Sequence, residues 1–533
     1  MTEAGFFSQV TRRAQERSDA TALVRGRRDG SGEAISFARL LAGCDRTARA
    51  LRTAGVRRGQ KAVTMTRDPY ELVTAVYALL TLGAVPVLIE PGLPPAHLRA
   101  CLDEVAPQVF VGEPLAHLAR RALGWGRRHV TTPLVTGPAV PGLGRRLPTA
   151  VPQCDGPAPE DVREPSADDL AVIAFTSGST GVPKGVEYHY GTLTGQTEAL
   201  APVLATEPGG VLLGGFLPVA LLGPALGLTT VAPAVNHLAP ARTRPESILR
   251  PLLEHRASVV AAAPAVLGLL AAHCARRGLT LPSVDRVLSF GAPLRPGLAD
   301  ALHAVLRPDA EVLSVYGATE CLPVSAISAT ELRSLRTPAR TVRAGTCLGR
   351  PVPGVRVRVL EADAAGVGEI AVAGRNVSPA YHARPQATAA SRVTDDCGSL
   401  HRTGDLGRLD DRGRLWFHGR KAHRVTGRGF ALTTESIEAT ADTATGVART
   451  ALVGVGPTGG QCAVLCAELT AGRVRDPRAA TAALRSALAG HPDGHHVERI
   501  LIHPGFPTDI RHNSKIDRER LADWATKRLR RAR

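Results

Sequence analysis

Short apolar segments alternate with longer segments of helical periodicity through most of the 533-residue chain, and this alternation constrains the fold more than any other feature. KAVTMT and PVLIEP are typical of strands, whereas YELVTAVYALLTLGAV between them is typical of a helix. The pattern resumes at LAVIAFTSG and continues through ASVVAAAPAVLGLLAAH and VDRVLSFGAPL. Strands that alternate with helices predict βαβ units and therefore a layered α/β domain.

The alternation is interrupted in two places. Residues 132–168 are rich in Pro and Gly and lack periodicity, so we expect a long loop there. After about residue 343, valine-rich segments predict a small β unit, and HRTGDLGRLDDRGRLWFHGRK predicts a hairpin that turns at DDRG. Beyond Arg420, ARTALVGVG and QCAVLCAEL are typical of strands and PRAATAALRSALAGH of a helix. A chain of this length exceeds one compact core, so we expect at least two domains.

The formal net charge of +17 invites comparison with nucleic-acid-binding proteins. However, the basic residues are nearly all arginines spread along the chain, and no RRM, zinc-finger or basic-helix signature occurs. The charge therefore does not predict a nucleic-acid partner. We expect the basic cluster at residues 527–533 to be a solvated tail.

Nine cysteines are scattered without a CxxC pair, which argues against a zinc site and against a disulfide framework. We expect most of them to be small buried residues. The N-terminus resembles no signal peptide, and no run of eighteen apolar residues predicts a membrane-spanning helix. These features favour a cytoplasmic protein without an integral membrane segment.

The segment TSGSTGVPKG follows the apolar strand LAVIAF and contains one of only five lysines in the chain. Glycines let such a loop turn sharply and direct N–H groups at an anion, and its hydroxyls and lysine are further donors. It is not a Walker A loop, because glycine follows the lysine. The alternative is a flexible linker, which needs neither a preceding buried strand nor a scarce lysine. We therefore predict a cradle for nucleotide phosphates made of Thr176, Ser177, Gly178, Ser179, Thr180, Gly181 and Lys184.

This loop resembles the phosphate-binding signature of the adenylate-forming superfamily, which includes acyl-CoA ligases, luciferases and the adenylation domains of peptide synthetases. Three further motifs of that superfamily follow in order, namely VYGATE, HRTGDLGRL and RHNSKIDRERL. The resemblance covers nearly the whole chain. It implies ATP and Mg²⁺ as cofactors, an acyl-adenylate intermediate, a large multi-layer N-terminal domain at residues 1–418 and a small mobile α+β domain at residues 421–533.

The resemblance also implies roles for individual residues. In VYGATE, Tyr316 packs beside the adenine, Thr319 meets a phosphate and Glu320 helps to hold Mg²⁺. In HRTGDLGRL, Asp405 binds the ribose hydroxyls, and Arg420 of FHGRK contacts the ribose at the domain junction. Outside this context YGATE would indicate a loop, Asp405 a turn cap and Arg420 a surface ion pair.

Lys515 in RHNSKIDRERL resembles the lysine of the terminal signature, which bridges the substrate carboxylate and the α-phosphate during adenylation. Lys184 and Lys515 thus occupy both lysine positions that are catalytic in the superfamily, in a chain that otherwise strongly favours arginine. The wide planar fork of arginine is a poor substitute for a compact ammonium between two anions. We therefore expect the catalytic residues to be Lys515, Glu320, Lys184 and Thr319.

Departures from the common pattern narrow the resemblance. FLPVALLGPALG is apolar where many acyl-activating relatives carry a histidine, and Ala422 stands where many carry a hinge Asp or Lys, which weakens the case for a thiol-transfer step. Four segments resemble the β-lactone synthetases of bacterial olefin and β-lactone pathways, namely FLPVALLGPALG, YGATECLPVS, GRLWFHGRKAHRV and FPTDIRHNSKIDRERLADWA. That resemblance implies adenylation of a β-hydroxy fatty acid, followed by attack of its own hydroxyl on the activated carbonyl and release of AMP.

Several alternatives stay open at this point. Three leucines could line a site for the substrate alkyl chain or could equally be ordinary core residues: Leu221, Leu222 and Leu226. Three histidines could help to remove the proton of the substrate hydroxyl or could have a surface or structural role: His401, His418 and His423. The product could instead be a fatty acyl-CoA or a fatty acyl group loaded onto a carrier protein, and other pathway enzymes are possible partners. A non-catalytic scaffold is disfavoured because the candidate catalytic residues are all retained.

Overall fold

The computed structural model describes residues 6–27, 29–90, 92–147, 165–176, 182–236, 242–335, 345–470, 476–507 and 516–531, and the side chains of residues 6 and 7 are excepted. Within these ranges, helices and strands alternate as the sequence predicts, and the α/β class is confirmed.

The helices of the described ranges are α1 Phe6–Glu16, α2 Phe37–Thr53, α3 Pro69–Thr81, α4 Pro95–Val105, α5 Pro114–Ala122, α6 Tyr190–Leu204, α7 Leu217–Leu222, α8 Glu246–Glu254, α9 Pro264–Arg277, α10 Pro296–His303, α11 Ala329–Ser334, α12 Pro385–Ala390, α13 Thr434–Ala441, α14 Pro477–Ala489 and α15 Arg518–Arg531. Two single 3₁₀ turns in the same ranges are Lys421–His423 and Gly494–His496.

The strands are β1 Thr21–Gly26, β2 Gly32–Ser36, β3 Lys61–Met65, β4 Val85–Leu88, β5 Val109–Gly112, β6 Thr132–Val135, β7 Arg145–Arg146, β8 Leu170–Phe175, β9 Gly185–His189, β10 Val211–Gly214, β11 Thr229–Ala232, β12 Val259–Ala262, β13 Arg286–Phe290, β14 Glu311–Ala318, β15 Cys321–Ser328, β16 Thr346–Pro351, β17 Arg356–Leu360, β18 Gly368–Ala373, β19 Ala380–Tyr381, β20 Arg392–Asp395, β21 Gly398–Leu409, β22 Leu415–Arg420, β23 Val425–Gly427, β24 Phe430–Leu432, β25 Val447–Val455, β26 Cys462–Leu469 and β27 Val497–Ile502.

Two sheets form the N-terminal part of the molecule. In the described residues the larger sheet runs β17-β18-β21-β22-β16-β15-β14-β13-β12-β10-β11-β1-β2, with β20 beside β21. Its five consecutive strands β14, β13, β12, β10 and β11 are parallel to one another. The second sheet runs β19-β9-β8-β4-β3-β5-β6-β7, and its strands from β8 to β7 are parallel. Parallel strands covered by helices on both faces are apolar throughout, which explains segments such as VVAA and LAVIAF.

The largest core cluster joins the two sheets, because it contains residues of β1, β8 and β13 together with helices α2, α3, α6 and α7. Two tyrosines fix helices inside it. The hydroxyl of Tyr77 donates to Leu221 O over 2.6 Å, and the hydroxyl of Tyr190 donates to Leu80 O over 2.7 Å. The side chains of both tyrosines are buried, so each hydroxyl needs such a partner.

The C-terminal segment forms its own small α+β unit. Strands β25, β26 and β27 form a sheet that packs against α13 and α14 through one apolar cluster and against α15 through another. Arg518, at the start of α15, donates to both carboxylate oxygens of Glu438 over 2.6 and 2.8 Å. This ion pair joins α15 to α13 across the sheet.

Two sequence expectations about local structure are met only in part. The expected loop at residues 132–168 begins with β6 and includes β7, because both extend the edge of the second sheet, a pairing that local composition does not reveal. Residues 148–164 of that loop lie outside the described residues. The basic cluster is exposed as expected at Lys527, Arg528, Arg530 and Arg531, but these residues form the last turns of α15 instead of an irregular tail.

The cysteines follow the prediction where the structure describes them. Buried thiols are Cys44, Cys101, Cys274, Cys321, Cys347 and Cys466, whereas Cys397 is exposed. Burial raises the pKa of Cys101 and Cys466 to about 12, so these thiols remain protonated and unreactive. Among the described helices, none has both the length and the apolar character required to traverse a bilayer.

Candidate functional site

The predicted phosphate loop connects two antiparallel strands, β8 and β9, and its two ends are held together. Phe175 pairs with Gly185. Beyond that pair, Thr176 N donates to Lys184 O over 3.0 Å, and Lys184 N donates to Thr176 Oγ1 over 3.1 Å. The remaining predicted cradle residues, Ser177, Gly178, Ser179, Thr180 and Gly181, lie outside the described residues. The hairpin therefore fixes where the loop begins and where Lys184 stands.

Lys184 and Glu320 contact the same tyrosine. Lys184 Nζ lies 4.7 Å from the centroid of the Tyr381 ring, a cation–π distance. The Tyr381 hydroxyl donates to Glu320 Oε1 over 2.7 Å. Burial and the neighbouring Glu320 carboxylate raise the pKa of Tyr381, so its hydroxyl stays protonated and remains a donor. The structure thus brings Lys184 and Glu320 to opposite parts of one side chain.

The YGATE segment ends a parallel strand of the larger sheet. Tyr316 lies on β14, and the turn into β15 carries Thr319 and Glu320. The hydroxyl of Tyr188 on β9 donates to Thr319 O, and Ser378 N donates to Glu320 O over 2.8 Å. The carboxyl end of β14 is therefore hydrogen-bonded to a strand of the second sheet. The carboxyl ends of parallel strands are the usual location of ligand sites in open α/β sheets.

Asp405 lies between Tyr316 and Arg420. The Tyr316 hydroxyl donates to Asp405 Oδ2 over 2.6 Å, and Arg420 Nε lies 3.1 Å from Oδ1. Asp405 faces Arg420 across the β21–β22 pair, which confirms the predicted hairpin and explains the contact. The neighbouring Asp405 carboxylate raises the pKa of Arg420. Asp405 is 4% exposed, yet Oδ1 accepts no hydrogen bond of adequate geometry within the described residues.

His401 and His418 are buried, which excludes a surface role for both, whereas His423 is only partly buried. Burial lowers the pKa of all three to about 4, so each is neutral near pH 7. His401 lies beside Tyr381, with 6.3 Å between the ring centroids, and its Nδ1 has no hydrogen-bond partner within the described residues. Of the three histidines, His401 is therefore the one next to Lys184 and Glu320.

The three leucines proposed as an alkyl lining are part of the protein core. Leu221 and Leu222 are buried in the cluster that joins the two sheets, and Leu226 packs against that cluster from a partly buried position. The structure thus supports the packing interpretation for this segment.

The junction between the large and small units is held by several contacts. Lys421 Nζ lies 2.8 Å from Glu369 Oε2, whereas Ala422 next to it is exposed. Thr346 Oγ1 donates to Glu435 Oε1 of α13 over 2.6 Å. Lys515 lies outside the described residues, so its position relative to this junction is not described.

Sequence reasoning missed Tyr381, which contacts two predicted site residues. Tyrosine is scarce, with six in the chain, but scarcity alone does not distinguish Tyr381 from the other five. Sequence reasoning also missed Arg392, which donates to Ser378 O and whose pKa is lowered by burial.

The residues present fit a nucleotide with a magnesium ion. Asp405 Oδ1 lies 3.1 Å from Arg420 Nε but accepts no hydrogen bond of adequate geometry within the described residues, so it can accept a hydroxyl. Lys184 is a cation at the end of the predicted phosphate loop. The described residues contain no group of three His, Cys, Asp or Glu side chains arranged for a metal. Glu320 alone suits Mg²⁺, which is commonly held by one or two carboxylates together with substrate phosphates and water.

Comparisons with known proteins agree with this geometry. The model of the AMP-binding family, described as AMP-binding enzyme, matches residues 10–382. The chain is 40% identical to the olefin beta-lactone synthetase of Stenotrophomonas maltophilia (strain K279a), over 97% of both chains. It is also 40% identical to the protein of the same name from Xanthomonas campestris pv. campestris, over 98% of both chains. The crystal structure of ATP-bound MatB from Rhodopseudomonas palustris superposes with a TM-score of 0.78 at 21% identity, over 98% of this chain and 99% of that one.

Proposed function

The chain belongs to the AMP-binding enzyme family, and from this premise we propose that it uses ATP to convert a β-hydroxy fatty acid into a β-lactone, releasing AMP and pyrophosphate. The observation that carries the proposal is the 40% identity, over 97% of both chains, to a relative named olefin beta-lactone synthetase. The site geometry supports the nucleotide-dependent half of this reaction.

In the first step, a carboxylate oxygen of the substrate attacks the α-phosphorus of ATP, and the bond from that phosphorus to the pyrophosphate oxygen breaks. We propose that Asp405 Oδ1 accepts a ribose hydroxyl, with Tyr316 and Arg420 holding the carboxylate in place. Lys184 and the loop from Thr176 to Gly181 would bind the phosphates, assisted by Thr319. Glu320 would hold Mg²⁺, which neutralises charge on the phosphates when bound.

Lys515 would contact the substrate carboxylate and the α-phosphate. We propose that residues 421–533 form a mobile domain, separate from residues 1–418, that brings this ammonium to the site. The separate apolar clusters of the small unit support such a division.

In the second step, the β-hydroxyl oxygen attacks the acyl carbonyl, the bond from this carbon to the AMP oxygen breaks, and the hydroxyl proton passes to a base. A well-oriented internal nucleophile has an effective concentration of about 10⁵ M or more, so an external acceptor is unnecessary. We propose His401 as this base, because it lies beside Tyr381 and its Nδ1 has no hydrogen-bond partner within the described residues; its pKa of about 4 makes it a weak base. The required substrate must come from an enzyme that makes β-hydroxy acids, and such enzymes are the partners we propose.

The proposal is tested with purified protein, ATP, Mg²⁺ and a panel of β-hydroxy fatty acids in the absence of CoA. We expect AMP, pyrophosphate and a product one water lighter than the acid by mass spectrometry. A thioester that forms only when CoA or a carrier protein is added would instead identify an acyl-CoA ligase or an acyl-AMP ligase. The ion pair of Lys421 with Glu369, beside the substituted hinge position Ala422, disfavours that alternative. Dependence on ATP supports a cytoplasmic site of action.

A further inference from the structure

A basic, leucine-bearing surface lies at one edge of the second sheet, far along the strand order from β8 and β9. Three exposed leucines occur in one nine-residue segment, which covers most of α5 and the residue after it. Leu115 is 60% exposed, Leu118 is 52% exposed and Leu123 is 41% exposed. Residues three apart lie on one side of a helix, so Leu115 and Leu118 form a single apolar face.

The opposite face of α5 is already occupied. His117 is fully buried, and its Nε2 lies 2.9 Å from Leu134 O. Ala116 and Ala119 pack against the core beneath the helix. The helix therefore cannot turn to bury Leu115 and Leu118, so both remain directed at solvent.

The charge around this face has one sign. Residues 114–154 contain six arginines and no Asp or Glu, although the chain has 48 acidic residues, about one in eleven. Arg121, Arg127 and Arg128 are exposed in the same segment of the chain as the leucines, and β7 exposes Arg145 and Arg146 on the sheet edge.

The acidic side chains that immediately precede α5 in the sequence do not neutralise the surface. Glu113, just before α5, accepts two hydrogen bonds from Arg67 over 2.7 and 3.0 Å. Glu104 on α4 forms an ion pair with Arg384. Asp103 on α4 is the exposed exception.

We propose that this surface, made of Leu115, Leu118, Leu123, Arg121, Arg127 and Arg128, docks the enzyme onto an anionic phospholipid membrane. Leucines on a helix face enter the boundary between headgroups and acyl chains, and flanking arginines meet lipid phosphates. Exposed leucines flanked by arginines need no complementary cavity in their partner, which favours a lipid surface over an acidic protein. Docking would place the enzyme where long-chain acids partition, and it does not depend on which product the enzyme makes.

The test measures binding of the full-length protein to phosphatidylcholine vesicles with and without about 30 mol% phosphatidylglycerol by flotation. We expect binding to the anionic vesicles only, with loss of binding as salt rises. Leu115→Asn with Leu118→Asn, and separately Arg127→Gln with Arg128→Gln, should each weaken binding at least fivefold.

The matched control is Arg276→Gln with Arg277→Gln, which removes two adjacent exposed arginines at the end of α9. Pyrophosphate release from a short, soluble acid checks that every variant is folded. If the control weakens binding as much as the α5 variants, the attraction comes from the overall net charge and the proposal is wrong. It is equally wrong if the wild-type protein does not float with anionic vesicles, or if the α5 variants change only self-association measured by light scattering.

Discussion

The Tyr381 hydroxyl donates a hydrogen bond to Glu320 Oε1 over 2.7 Å, while Lys184 Nζ lies over the ring of the same tyrosine. A single side chain thus positions a candidate metal-binding carboxylate and contacts the candidate phosphate-binding cation. The two charged groups face a common site without forming an ion pair with each other.

Replacing Tyr381 with Phe should lower the apparent affinity of the enzyme for Mg²⁺ during pyrophosphate release. The variant keeps the ring beneath Lys184 but no longer orients Glu320, so we expect the Mg²⁺ concentration for half-maximal pyrophosphate release to rise several-fold. Loss of a hydrogen bond to a charged group is worth about 1.5–3 kcal/mol. Binding of Mg²⁺·ATP, measured by calorimetry, should weaken in parallel. Tyr70→Phe, which removes a hydroxyl outside the site, serves as control. An unchanged Mg²⁺ dependence with a lower maximal rate would show that Tyr381 only supports the fold.

Asp405→Asn should raise the KM for ATP by about 10- to 100-fold, because the amide removes the negative charge facing Arg420 and weakens acceptance of a ribose hydroxyl. Steady-state kinetics at saturating acid measure this change. Tyr316→Phe removes only the hydrogen bond to Asp405 Oδ2 and should have the smaller effect. If Tyr316→Phe proves more damaging than Asp405→Asn, the assignment of Asp405 to the ribose is wrong.

Glu435 should make the contact between the large and small units sensitive to pH. Burial, and then the neighbouring Glu438 carboxylate, raise the pKa of Glu435 from 4.5 to about 7. Between these values the folded protein retains a proton that the unfolded chain has lost, so stability falls as pH rises from about 4.5 to 7. The contribution is at most about 3 kcal/mol. Thermal unfolding followed across this range should show the decline, and Glu435→Gln should flatten it. An identical pH profile in that variant would assign the decline to another group.

Gly419→Ala should weaken the contact between the β21–β22 hairpin and α13 of the small unit. Gly419 has φ +120°, and a Cβ there would lie 2.5 Å from Thr434 Oγ1 at the start of α13. We expect a loss of about 1–3 kcal/mol of stability and faster proteolysis near Arg420. Gly398→Ala is the matched control, because φ is +111° but nothing lies within 4 Å of the added carbon. Equal sensitivity of both variants to protease would mean that backbone strain alone, and not contact with α13, explains the effect.

Sequence patterns predicted the elements whose signal is local. The apolar strand before the loop, the hairpin that pairs Asp405 with Arg420, and the helix and strands after Arg420 all lie where the sequence places them. The patterns did not reveal β6 and β7, because their pairing depends on a sheet edge formed by distant residues. Tyr381 was missed for the same reason: it contacts Lys184 and Glu320 only after β19 pairs with β9.

The reciprocal hydrogen bonds between Thr176 and Lys184 close the end of the β8–β9 hairpin. The position of Lys184 is therefore set by strand pairing and not by the sequence of residues 177–181. We accordingly expect substitutions at those five positions to leave this lysine where it is.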